Sequence, residues 1–541
     1  MVITGIKKIT NSECEIIHRE CGMYQLSLGL ALAFLLTACS SLPENSSEPS
    51  YTLDNLVNNQ LEQKIISANR EIGFADNAVT MLLLDDGTDA FIARLSLLNS
   101  AQNSVDLQYY LYHSDLSGNL LTMALWQAAE RGVRVRLLLD DMDMAGKDKT
   151  LSALASHPNI NIRLFNPFVR GKNRSSQFVF QFGAITRRMH NKSFTVDNSI
   201  SILGGRNIGD VYFGADENTV FGDLDVALTG PVVTEVSHSF DAYWNSPLAY
   251  PIQLLSSYEW EAQTTELISQ ALTQKWENKQ QHAYVKQLKA NNLMELIHTN
   301  QVNIYTGEAK ILVDDPAKIT ASRSKQQYHL APQLAPYIHG AENELIIVSP
   351  YFVPGKEGVE FFADLIKRGI TVKVLTNSLK SNDVMVVHAG YRKYRKALLA
   401  MGVKLYEMDS KLLTSDYVFS KTDNKKSSIW GKSKASLHAK YFVIDRKSTF
   451  IGSLNLDPRS LYENTEIGVI LETEALSEDV AEQFDNHINQ IAFELSLVDN
   501  NIIWSKIESG ETITYDKEPY SSWWERFKVG FISYLPGESQ L

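Results

Sequence analysis

At 541 residues, with 44% hydrophobic and 21% charged side chains, the chain has a globular composition and is too long for one ordinary core, so two or more domains are expected. A formal net charge of −12 excludes binding nucleic acid by bulk electrostatics. Only three cysteines are present, Cys14, Cys21 and Cys39, which excludes a disulfide framework.

The N-terminal stretch does not read as fold. Residues 26–36 (LSLGLALAFLL) form an apolar run of 11 residues, too short to span a bilayer and suited to the core of a secretory signal. Leu36-Thr37-Ala38-Cys39 follows at once and resembles the bacterial lipobox, in which the Cys is diacylated and becomes the new N-terminus. Residues 1–38 are therefore expected to be a lipoprotein-type signal peptide, Cys39 the lipidation site and 39–53 a flexible tether. The protein would then be membrane-associated on the periplasmic side, with inner and outer membrane both left open.

Next come an alternating strand-like run at 105–110 (VDLQYY), a helical stretch ending in Glu130-Arg131-Gly132, a strand at 133–139 and another at 162–165. The pattern returns downstream as a strand at 345–352 (LIIVSPYF), a helix ending in Lys367-Arg368-Gly369, and strands at 370–375 and 403–406. The Arg-Gly pairs are 237 residues apart and the last strands 241 apart. Landmarks at nearly one offset indicate an internal duplication of a βαβ-type unit, hence α/β architecture with mixed sheets flanked by helices. The expected divisions are a first domain at 54–250, a helical connection at 251–315, and a second domain at 316–541. The second ends in an aromatic-rich amphipathic segment that either lies in a membrane interface or caps that domain.

Each half carries one copy of a short pattern. The first is His190-Asn191-Lys192, four residues, Asp197, six residues, then Gly204-Gly205-Arg206-Asn207. The second is His438-Ala439-Lys440, four residues, Asp445, six residues, then Gly452-Ser453-Leu454-Asn455. Both sit on short hairpins, where residues two apart share a face, so each His points the same way as its Lys. Asp197 and Asp445 fall at the turns and are expected to brace the hairpins. Displacement at a phosphodiester needs an in-line nucleophile and, opposite it, an acid near neutral pH; imidazole suits both tasks. Two lysines and two asparagines, Asn207 and Asn455, would surround the non-bridging oxygens. An ammonium beside each imidazole makes a poor metal half-site, so neither metal nor cofactor is expected.

The paired motifs resemble the signature of the phospholipase D superfamily, His-x-Lys-x4-Asp-x6-Gly-Ser-x-Asn. The second copy matches in full, and the first has Gly205 where Ser is usual. The resemblance implies two similar domains meeting at a pseudo-two-fold axis over one active site, with one histidine phosphorylated and the other the acid. By resemblance His190 is assigned as nucleophile and His438 as acid. A carboxylate further along each half is expected to orient its histidine: Glu466 in the second, and Asp223 or Asp225 in the first, with Asp223 preferred. Around these motifs, the runs 188–194, 205–210, 377–384 and 388–391 are similar to the bacterial cardiolipin synthase C family. That resemblance implies transfer of a phosphatidyl group from a phospholipid such as phosphatidylglycerol to a second lipid's hydroxyl.

Two basic stretches, 166–188 with five basic residues and 410–434 with six lysines, precede the two motifs and are read as a rim attracting anionic headgroups at a membrane surface. No motif names an accessory protein. The alternatives are a phospholipase D that hydrolyses phospholipids, a nuclease of the same superfamily (disfavoured by the acidic charge), and a non-catalytic lipid-binding protein.

Overall fold

The computed structural model describes residues 42–534, apart from 54–58, 181, 182, 184, 217, 218, 259, 261–263, 292–296, 298–301, 412–433 and 509. The expected signal peptide, Cys39 and most of the lysine-rich stretch at 410–434 lie outside the described residues. The described part of the expected tether, 42–53, is instead docked on the first domain: Asn45 donates to Ala249 O at 3.1 Å, Thr52 N to Asp241 at 2.7 Å, and Ser50 O accepts from Arg136 at 2.9 Å.

Ten strands come first in the chain: β1 (Thr80–Leu84), β2 (Ser104–Tyr109), β3 (Arg134–Asp140), β4 (Ile160–Phe165), β5 (Ser193–Val196), β6 (Ile200–Gly204), β7 (Thr219–Gly222), β8 (Asp225–Thr229), β9 (Ala249–Pro251) and β10 (Ile304–Thr306). All but β7 form one sheet in the order β10-β1-β8-β6-β5-β2-β3-β4-β9. The remaining strands are β11 (Glu308–Val313), β12 (Glu344–Val348), β13 (Thr371–Asn377), β14 (Lys404–Met408), β15 (Lys434–Leu437), β16 (Tyr441–Ile444), β17 (Ser448–Gly452), β18 (Ile467–Glu472), β19 (Ala492–Val498), β20 (Asn501–Glu508) and β21 (Glu511–Tyr515). The second sheet runs β11-β18-β17-β16-β12-β13-β14-β19-β20-β21, and β15 pairs instead with β7.

Eight strands of each sheet follow one order, β1-β8-β6-β5-β2-β3-β4-β9 matching β11-β18-β17-β16-β12-β13-β14-β19, with β10 added to the first sheet and β20-β21 to the second. Parallel β2-β3-β4 matches parallel β12-β13-β14, and each is flanked by an antiparallel hairpin, β5-β6 or β16-β17. The Arg-Gly landmarks are helix ends: Gly132 and Gly369 have φ of +92° and +87° just past Leu116–Glu130 and Gly355–Lys367, where glycine adopts the left-handed conformation without steric cost. Central strands are buried on both faces, so the polar residues on them need partners. Asp106 on β2 and Arg136 on β3 are cross-strand neighbours paired at 2.7 Å, and Arg136 also meets Asp241 at 2.8 Å.

The expected helical connection at 251–315 is only partly helical. Helices Thr264–Lys279 and Ala283–Ala290 are present, and Tyr284 and Val285 enter the first core. The stretch then ends in β10, on the first sheet, and β11, on the second, with Gly307 alone between them. Their alternation is short, and each is defined by its sheet partner, β1 or β18.

One apolar cluster joins the halves, with Met81, Leu203 and Val226 on one side and Ile346, Ala439, Ile451 and Val469 on the other. Each of these side chains larger than alanine contributes roughly 1.5–3 kcal/mol when fully buried, so the halves resist separation. No helix among the described residues is long and apolar enough to cross a membrane.

Candidate active site

The two motifs meet where the halves meet. Beyond the ends of β5 and β16, the backbone of each histidine is bonded to the opposite half: His190 N donates to Thr465 O at 2.8 Å, and His438 N to Gly222 O at 2.8 Å. The parallel pairing of β15 with β7 extends the second of these crossings.

The side chains cross as well. His190 Nδ1 lies 2.8 Å from Glu466 Oε2, and His438 Nδ1 lies 2.6 Å from Asp223 Oδ2. This corrects the expectation that each histidine is oriented by a carboxylate of its own half; the hairpins dock face to face, and each imidazole reaches over the seam. The choice between Asp223 and Asp225 is also resolved in space, because Asp225 is occupied by Arg94 at 2.8 Å and Arg206 at 3.4 Å. A carboxylate only accepts, so Nδ1 of each ring is the natural carrier of a proton, and Nε2 is left for chemistry.

Burial sets the charge states. His190 is 9% exposed, and loss of water pushes its imidazole down to about 4, against the pull of Glu466. Burial and Lys440 lower His438 too, while Asp223 opposes them. Burial pushes Asp223 up, but His438, Lys440 and Arg206 outweigh it and hold the carboxylate down at about 2. Glu466 is likewise lowered on balance, its burial outweighed by His190, Lys192 and the Ser453 hydroxyl. The lysines are pushed down by burial, Lys192 to about 7 and Lys440 to about 8. Lys192 Nζ donates to His190 O at 2.5 Å, and Lys440 Nζ to His438 O. Each lysine feels both carboxylates, so His190, Lys192, Asp223, His438, Lys440 and Glu466 form one electrostatic cluster. Two ammonium groups kept partly uncharged by burial would regain their protons beside an anionic phosphate.

The asparagines are placed differently from expectation. Asn207 uses its carbonyl to accept from Leu111 N at 3.1 Å and its amide to donate to the Tyr212 hydroxyl at 3.0 Å. Asn455 donates to Ser460 Oγ at 3.4 Å. Asn207 thereby holds the Tyr212 ring, which stands edge-on to His438 at 5.1 Å, while Phe221 stacks on the same imidazole at 5.3 Å and meets Tyr212 at 5.2 Å. Asp197 and Asp445 lie at the far ends of β5 and β16 from the histidines. Asp197 accepts from the backbone N–H of Gln102, Asn103 and Ser104, and Asp445 from those of Glu342, Asn343 and Glu344.

Several contributors escaped the sequence reading. Tyr110 stands edge-on to His190 at 5.0 Å. It lies 241 residues before Tyr351, whose hydroxyl bonds Asp383 at 2.9 Å, so the repeat offset already pointed to the pair. Buried Asp314 accepts from Glu466 N at 2.7 Å and from Lys318 at 3.0 Å. The stretch 166–188 is not an unpaired basic rim: Arg170 and Arg174 pair with Asp141, Arg187 with Glu463 and Arg188 with Asp140.

The family described as "Cardiolipin synthase, PLD-like domain" matches residues 95–244 and 334–488, one segment in each half. The chain is 41% identical over 458 residues to cardiolipin synthase C of Escherichia coli (strain K12), covering 84% of this chain and 94% of that protein. It is 23% identical over 408 residues to cardiolipin synthase A of Proteus mirabilis (strain HI4320), covering 74% of this chain and 67% of that protein. Among solved structures, a phosphatidylserine synthase of Haemophilus influenzae Rd KW20 shares the fold at a TM-score of 0.52 and 13% identity, covering 80% of this chain and 92% of that one. The duplicated sheets, the two motifs at their seam and the match across both halves lead to one assignment: the chain belongs to the phospholipase D-like family of cardiolipin synthases.

Proposed function

We propose that this protein is a phosphatidyltransferase that joins two phospholipids into cardiolipin, with phosphatidylglycerol as donor, through a covalent phosphohistidine. The observation that carries the reading is the pair of buried imidazoles, each with Nδ1 on a carboxylate and both among two lysines. His190, held neutral at physiological pH by burial, attacks phosphorus through Nε2. The N–P bond forms as the P–O bond to the departing glycerol breaks, and that oxygen takes its proton from Nε2 of His438 in its imidazolium form, which Asp223 has to hold against burial and Lys440. Asp223 supports the imidazolium form of His438, as Glu466 supports the charge developing on His190. In the second half-reaction the hydroxyl of an acceptor phospholipid gives its proton to His438 and displaces His190, and cardiolipin leaves. Lys192 and Lys440 hold the non-bridging oxygens, and the asparagines act at one remove, by positioning neighbouring groups.

The same reading puts the protein at a membrane surface, tethered on the periplasmic side through a diacylated Cys39. Incorporation of labelled fatty acid that disappears in Cys39→Ala is the expected result there. For the reaction, purified protein given phosphatidylglycerol labelled in phosphate and in headgroup glycerol should yield cardiolipin and free glycerol. Phosphatidic acid as the main product would identify a hydrolase instead. Rapid quenching should trap acid-labile phosphate on the wild-type chain and none on His190→Asn; label retained by that variant would move the nucleophile elsewhere.

A further inference from the structure

The C-terminal helix Trp523–Ser533 has two faces. Ser522 caps it, in a reciprocal capping box with Glu525. Its inner face packs on the second domain through Val529, fully buried with Leu379 and Ala389, and Ile532 lies against them. Glu525 is paired with Lys380 at 2.8 Å. The outer face does the reverse of what a cap would do. Trp523, Trp524, Phe527, Phe531 and Tyr534 are 59%, 63%, 52%, 62% and 89% exposed. Their spacing places them along one stripe, and Trp523 stacks on Phe527 at 5.3 Å.

Beside this helix, Val384, Met385 and Val386 at the start of helix Met385–Arg392 are also exposed. The thirteen exposed large apolar residues among the described residues thus include eight gathered on this one surface. Contiguous exposed apolar area of this kind marks a binding face rather than ordinary surface. The helix also carries Arg526 and Lys528, and its single acid is neutralised by Lys380, so the face is apolar with a basic fringe. Tryptophan and tyrosine with basic neighbours suit the zone between acyl chains and anionic headgroups.

The face adjoins the catalytic seam. Asp383, next to Val384, accepts from the Tyr351 hydroxyl and acts electrostatically on Lys440. Ser381 O accepts from Ser436 Oγ at 2.7 Å, two residues before His438, and the Asn377 side chain pairs with the backbone of Leu437. Residues 377–386 therefore run from the wall of the site straight to the exposed patch.

We propose that helix Trp523–Ser533, with Val384–Val386, is the membrane-docking face, lying in the interface of an anionic phospholipid bilayer and aiming the catalytic mouth at the headgroups. What the mouth does there rests on the phosphatidyltransfer reading; the docking does not. The full chain is mixed with vesicles of phosphatidylglycerol and phosphatidylcholine carrying brominated acyl chains, and tryptophan fluorescence is read. Quenching is preferred to sedimentation because residues 26–39 can hold the chain on vesicles by themselves. Wild type should be quenched. Phe527→Ser/Phe531→Ser, which keeps both tryptophans, the capping box and Val529, should lose most of the quenching. This variant should also lose turnover of vesicle phosphatidylglycerol while keeping that of a short-chain, monomerically dispersed one. Equal quenching in the two proteins overturns the proposal. So does a wild-type dimer that the variant dissociates with no quenching in either, since a second copy would then cover the face. Absence of short-chain turnover in wild type would count against the phosphatidyltransfer reading and leave the quenching result standing.

Discussion

Ser453 and Gly205 hold the same place in the two motifs, and the carboxylates they face differ by one methylene. Ser453 Oγ donates to Glu466 at 2.5 Å and accepts from Ile467 N at 3.0 Å. At Gly205 a Cβ would lie 2.1 Å from Asp223 Oδ1 and 2.8 Å from its Cγ, so the shorter acid is drawn into the space a serine would fill. The departure from the family signature is thus a compensated pair, Gly with Asp in place of Ser with Glu. Gly205→Ser alone should push Asp223 off His438 and cut turnover on the order of 100-fold, the scale of an ångström's misplacement. Gly205→Ser/Asp223→Glu should recover most of it; full activity in the single variant would sink the argument. The second residue-scale prediction concerns acid. His190 titrates at about 4 folded, against roughly 6.5 unfolded, so the unfolded chain binds the extra proton in between. Its contribution to stability is intact above 6.5 and is lost as pH falls towards 4. Buried Asp314 and Asp457, both raised to about 7, work the other way over much of that window, so a difference measurement is needed. Relative to His190→Gln, wild type should lose up to about 1.4 kcal/mol per pH unit between 6.5 and 4 in urea unfolding. A pH-independent difference would contradict the buried, neutral imidazole.

At the scale of elements, the motif aspartates belong to the hairpins. Asp197 and Asn198 have φ of +50° and +49°, and Asp445 and Arg446 +52° and +55°, so both turns place their carboxylates over the N–H groups entering the neighbouring central strand. Asp197 is buried, whereas two of the three bonds to Asp445 are exposed. Asp197→Ala should therefore cost about 3 kcal/mol and Asp445→Ala less, read by thermal or urea unfolding, with turnover unchanged below the transition. A loss of turnover in still-folded Asp197→Ala would return that residue to the chemistry. This assignment was legible from spacing alone, because strand alternation separates the faces within a few residues. The parallel strands and the Arg-Gly helix ends were legible for the same local reason. The crossing of Glu466 to His190 was not, since it joins residues 276 apart and depends on how two finished domains dock. Nor was the pairing of the arginines at 166–188, whose acids, Asp140, Asp141 and Glu463, lie from 29 to 276 residues away along the chain. β10 and β11 were missed because short edge strands take their identity from the sheets they join.

At the scale of the whole molecule, Gly307 is the single residue between the sheets, and the seam holds both the shared apolar core and the site. A chain split at Gly307 should give two halves that are inactive and aggregation-prone when expressed apart and that regain turnover when co-expressed. Activity from either half alone would be incompatible with the crossed arrangement. The crossing has one more consequence. Two identical copies of the first half, docked the same way, would put His190 of each on Asp223 of the other, giving two indistinguishable centres and no rule for which one attacks. Carrying both halves in one chain removes that tie. One centre has come to rest on the longer acid with a serine beneath it and the other on the shorter acid over a bare glycine, and a substitution in either half changes the imidazole of one centre and the anion of the other independently. A donor and an acceptor differ, and here the two centres that meet them differ as well.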